Sequence, residues 1–99
     1  MFINWFNTKE VTILAIKLAD DLSAELEKNN NKSLKKASEH NAKIMQKICV
    51  QLNQYQQKNK LNFLKKSKLA NEFRWRLIEI GHPKDFVDST TKELLMHMN

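Results

Sequence analysis

Apolar residues recur along this chain at steps of three and four, the spacing of helices that bury one side. Val11, Leu14, Ala15, Leu18, Leu22 and Leu26 line up in this way and predict a helix over about residues 8–28. Asn7 and Glu10 precede it at capping-box spacing, where each side chain can bond the other's free backbone N–H. The Asn29-Asn30-Asn31 run then reads as a loop, because asparagine competes for backbone hydrogen bonds and tolerates left-handed backbone.

A second stripe, Leu34, Ala37, Asn41, Ile44, Ile48, Leu52 and Tyr55, with Met45 and Cys49 beside it, predicts a helix over about 33–57. Its steps resemble a heptad seam, but a short one that holds a polar Asn41, so an antiparallel bundle explains it as well as a coiled coil. Carried past Tyr55, the same phase would put Asn59, Asn62 and Lys66 in the core. The apolar residues instead resume at Leu61, Phe63 and Leu64 on another side, which places a break near 58–60.

The third helix, about 61–80, is apolar on two sides. Phe63, Leu69, Ala70, Phe73, Leu77 and Ile80 share one broad face, and Leu61, Leu64, Trp75 and Ile78 gather roughly opposite. Gly81 ends it, since glycine turns left-handed at no steric cost. Pro83 suits the first position of a last helix over about 83–97, striped by Phe86, Val87, Thr90, Leu94 and Met98. The expectation is a single all-α domain over 1–99, an up-and-down bundle of about four helices with the second and third supplying the central surfaces. The aromatic start, Phe2, Trp5 and Phe6, is expected to pack back onto it.

Composition narrows the class. One glycine, one proline and 41% apolar residues favour long helices over strands. A lone cysteine excludes an intrachain disulfide, nothing resembles a signal peptide, and no apolar run approaches the roughly 18 residues of a membrane span. A cytoplasmic, reducing setting is the simplest expectation. The net charge of +6 is uneven: residues 31–60 carry +6 and residues 61–80 carry +3, while both ends are slightly acidic. Such asymmetry can mark an anionic partner. An AT-rich coding sequence would also enrich lysine and asparagine together, and the chain holds 15 lysines, 2 arginines and 11 asparagines.

Candidate chemistry is thin. No spacing suggests a catalytic triad, no glycine-rich loop could cradle phosphate, and the acidic cluster Asp20, Asp21, Glu25 and Glu27 suits a solvated helix face. His40, His82 and His97 lie far apart, and Met96-His97-Met98 cannot converge on one metal while helical, because consecutive residues point about 100° apart. No cofactor, metal or small-molecule ligand is implied. The helix–Gly–helix over 69–98 faces a DNA groove badly, because its second helix carries Asp85, Asp88 and Glu93.

Two functions remain. The first is a non-enzymatic interaction protein, self-associating through the second face of helix three, with Leu61, Leu64, Trp75 and Ile78 as anchors and Lys68, Arg74 and Arg76 as a charged rim. The alternative is nucleic-acid binding through Lys58, Lys60, Lys65, Lys66, Lys68, Arg74 and Arg76.

Overall fold

The computed structural model describes residues 9–28 and 34–98, with side chains at 9–28 and 41–98. These residues form four helices: α1 (Lys9–Glu27), α2 (Leu34–Lys58), α3 (Phe63–Ile80) and α4 (Lys84–Met98), and no strand. Asn7, the Asn29–Asn31 run and the N-terminal aromatics lie outside the described residues.

The helix ends follow local chemistry. α2 stops at Lys58, where its apolar phase is lost. Asn62 opens α3: its backbone is extended (φ −76°, ψ 175°) and its side-chain oxygen accepts the Lys65 N–H at 2.8 Å. Gly81 closes α3 in the left-handed region at φ 107°. Its N–H donates to the Ile78 carbonyl while that of His82 donates to Leu77, a Schellman pattern that satisfies two orphan carbonyls. Pro83 stands one step outside α4, its carbonyl accepting the Val87 N–H.

Chain direction alternates from helix to helix. Lys17 bonds Gln51 and Glu10 meets Tyr55, so α1 and α2 run antiparallel. Asp20 meets Arg76 and Ser23 meets His82, so α1 and α3 run parallel. The packed pairs are α1–α3, α3–α4, α1–α2 and α2–α4. The molecule is therefore two helical hairpins, α1–α2 and α3–α4, laid side by side in the same sense. The most extensive contact is α1 on α3; the long α2 lies diagonally across from α3 rather than against it. That corrects the expectation that the second and third helices form the centre.

The core draws on all four helices: Val11, Ala15, Leu18, Ala19 and Leu22 from α1; Ile44, Met45, Ile48, Cys49 and Leu52 from α2; Leu69, Ala70, Phe73 and Leu77 from α3; Val87, Leu94 and Met98 from α4. Met45 and Cys49 are full core members, whereas Asn41, placed on the stripe by spacing alone, is exposed. A larger exchange occurs at the start of α3. Phe63, expected inside, is 86% exposed, and Leu61, expected outside, packs against the core. For Leu61 the cause is that 61 and 62 are not helical, so the extended Asn62 breaks its phase with α3, whereas Phe63 is the first residue of α3 and stands before its first buried residue, Leu69.

Thr90 and Thr91 are the buried polar residues of α4, and Thr91 Oγ1 has no hydrogen-bond partner among the described residues. A buried hydroxyl left without a partner carries its full desolvation cost. Thr91→Val keeps the shape and removes that cost, so the urea midpoint should rise by the equivalent of about 1 kcal/mol; an unchanged or lower midpoint would show that the hydroxyl is satisfied.

Candidate functional site

The outward side of α3 is where the sequence placed the anchors, and three of the four are there. Leu64 is 39% exposed, Trp75 52% and Ile78 37%, on the side opposite buried Leu69, Phe73 and Leu77. Leu61 does not join them. Lys68 and Asn71 fall on the same ridge by helical phase, so its members are Leu64, Lys68, Asn71, Trp75 and Ile78. Asn71 was missed in the sequence because a search for apolar anchors passes over a carboxamide between them.

Each residue of the charged rim has a partner within the chain. Arg76 Nε donates to Asp20 Oδ1 of α1 at 2.7 Å, and its other nitrogens reach Asp20 Oδ2 at 3.4 Å and Glu79 at 3.0 Å. These carboxylates hold its guanidinium more firmly protonated, with the Asp20 hydrogen bond the main cause. Arg74 donates to Asp88 of α4 at 3.3 Å and lies 5.9 Å from the Trp75 ring centroid, a cation–π contact. Lys68 pairs with Glu72 at 2.8 Å. The two arginines therefore fasten α3 to a neighbour on either flank and leave the ridge between them open.

The same pairs divide the basic stretch. Lys68, Arg74 and Arg76 are matched by carboxylates within the chain. Lys58, Lys60, Lys65 and Lys66 form no ion pair among the described residues. They sit where α2 ends and α3 begins, around the exposed Phe63. Three acidic side chains of α1 are also engaged: Asp21 with Lys17 at 2.8 Å, Glu25 with Lys28 at 3.6 Å, and Asp20 with Arg76.

One polar pair was invisible to sequence spacing. Ser23 and His82, 59 residues apart, meet at 2.8 Å between Oγ and Nε2. The Ser23 Oγ also lies 2.9 Å from the Ala19 carbonyl, and the tautomer of His82 sets which of Oγ and Nε2 donates. The ring also lies 4.9 Å from that of Phe86, and burial lowers its pKa below the ordinary 6.5. The pair is a tether from α1 to the turn between α3 and α4.

A cleft of about 270 Å³ between α1, α2 and α4 has Leu22, Leu26, Met45, Phe86, Thr90 and Glu93 in its lining. No group of three or more His, Cys, Asp or Glu side chains is placed to hold a metal among the described residues, and none of their helices is long and apolar enough to cross a membrane. Comparison with protein-family models, curated proteins and solved structures finds no match to this chain.

Two titratable groups give direct checks. Burial, helped by Glu93, pushes the Cys49 thiol up to about 11, and the thiolate is the reactive form. Native protein should react with a disulfide reagent at least about tenfold more slowly than urea-unfolded protein, and equal rates would mean that Cys49 is open to solvent. For His82 the unfolded state binds protons more readily, so stability present above about pH 6.5 is lost as pH falls through the lowered native value. His82→Gln should flatten the pH dependence of the urea midpoint between pH 7.5 and pH 5; an unaltered slope would assign it to other groups.

Proposed function

We propose that this chain is a non-enzymatic interaction protein that self-associates through the outer ridge of α3. The observation that carries this reading is the exposure of Leu64, Trp75 and Ile78 on one side of a helix that buries Leu69, Phe73 and Leu77 on the other, although Ile80, expected on that inner face, is exposed. Large apolar side chains gathered on one face mark contact surfaces more often than isolated ones do. A half-exposed tryptophan with an arginine against it also has the composition of an interface centre. Arg74 and Arg76 also support the ridge by holding α4 and α1 at its flanks. A reducing, cytoplasmic setting goes with this reading, as does the single buried thiol.

Light scattering coupled to size exclusion, at low and high salt, tests it. Wild-type protein should form a dimer or larger species that survives added salt, since apolar contacts are little screened. Trp75→Ala should be monomeric yet lose less than about 1 kcal/mol of stability, whereas Phe73→Ala, a deletion in the core, should lose about 3–5 kcal/mol. If Trp75→Ala unfolds the monomer, Trp75 is a core residue and the reading fails.

The alternative, nucleic-acid binding, is narrowed to Lys58, Lys60, Lys65 and Lys66 around Phe63, whose 86% exposure favours it as a stacking ring. The two readings part on salt. Phosphate contacts weaken steeply as counterions are added back, and an apolar ridge does not respond in that way.

A further inference from the structure

Building on the nucleic-acid reading above, we propose that this chain takes single-stranded rather than duplex nucleic acid. The strand lies along the outer edge of α2, and an unpaired base stacks on Phe63 where α2 gives way to α3.

From residue 40 to residue 71 the chain carries seven lysines and no Asp or Glu. Lys68 is matched by Glu72, and the other six form no ion pair among the described residues. Lys43, Lys47, Val50, Gln54 and Lys58 follow one another at steps of four, three, four and four, so they stand in one line on α2. That line is exposed along its length and lies opposite the buried Ile44, Ile48 and Leu52. Gln46 and Gln51 share a shallow trough with it. Carboxamides there can donate to phosphate oxygens or meet base edges without adding negative charge.

The acidic groups beside this line are already engaged. Asp21 and Glu25 border the groove at Lys47 but pair with Lys17 and Lys28, and Glu10 bonds Tyr55 at the other end. The unmatched charge continues past Lys58 to Lys60, Lys65 and Lys66. A row of ammonium groups without carboxylates calls for a polyanion. Phe63 selects the form of that polyanion. Its ring is 86% exposed among those lysines. Such a ring stacks on a base whose face is free, as in a single strand; a duplex stacks its bases inward and would set the ring against phosphates.

The line from Lys43 to Lys58 is about 22 Å long at 1.5 Å per residue. An anionic membrane suits it less well. A helix that lies on a bilayer buries an apolar face there, and Val50 is the one apolar residue of this line.

Fluorescence anisotropy of a labelled oligothymidylate of about twelve nucleotides, against a duplex of the same length, tests the proposal. The single strand should bind at least about tenfold more tightly than the duplex. With about five phosphates neutralised, its affinity should fall about a hundredfold between 50 and 200 mM salt. Phe63→Ala, at a side chain that lies in solvent, should weaken the single strand by about tenfold and leave the duplex unchanged. Lys43→Gln with Lys47→Gln should instead reduce the slope of log affinity against log salt by about 1.4. Equal binding of strand and duplex, with no effect of Phe63→Ala, overturns the single-strand proposal while nucleic-acid binding stands. No binding to either probe at 50 mM salt overturns both. Binding to phosphatidylserine vesicles but to neither oligonucleotide also overturns both, and assigns the basic line to a membrane surface.

Discussion

The close approach of α1 to α3 is the contact on which the rest of the molecule depends. Val11, Ala15, Ala19 and Ser23 stand one turn apart along α1, and Ser23 touches His82, so this row faces the second hairpin. Two alanines in the middle of the row let the helix backbones come near, and Ala70 is buried on α3. Small residues here have the same effect as in any tight helix pair: they shorten the distance at which both helices still bury their larger neighbours. Phe73, Leu69 and Leu77 can then reach the shared core with Leu18 and Leu22. With α3 held against α1, its opposite side has no place inside the bundle and must face outward.

Much of this was legible in the sequence. The apolar periods locate all four helices, and the lost phase after Tyr55 locates the break between α2 and α3. Gly81 and Pro83 mark the turn between α3 and α4. Three of the four outward anchors on α3 also follow from phase alone. What was not legible depends on non-helical backbone or on tertiary neighbours. Leu61 is misplaced because a phase argument cannot pass through the extended Asn62, and Phe63 because it opens α3 ahead of the buried stretch that begins at Leu69. The side-by-side order of the hairpins is set by contacts between distant segments, and the same is true of the Ser23–His82 tether. Asn41 matched the stripe by spacing but is a polar side chain at a position that the bundle leaves in water.

Arginine and lysine are used differently here. The chain has 2 arginines against 15 lysines, and both arginines bridge helices. The planar guanidinium of Arg76 meets both oxygens of Asp20 and still reaches Glu79, which the ammonium of a lysine, a point charge, could not do with the same directionality. Lysine ion pairs such as Lys17–Asp21 and Lys68–Glu72 lie within one helix. Local charge density in the sequence therefore overstated the cationic surface near α3. The residues that looked most like a phosphate-binding set include those most committed to the fold.

The contact between α1 and α3 also bears on how the chain reaches its native state. Asp20 and Arg76 are 56 residues apart, so forming their contact closes a long loop before any neighbouring contact can compensate for it. The α3–α4 hairpin has no such obstacle: its turn is short, and Arg74 and Asp88 are only 14 residues apart. The α3–α4 hairpin can therefore organise locally, while the two hairpins join only by a non-local docking step, the kind that slows folding. Until that step is complete, Leu69, Phe73 and Leu77 have only α4 to pack against and lack the α1 side chains with which they share the native core.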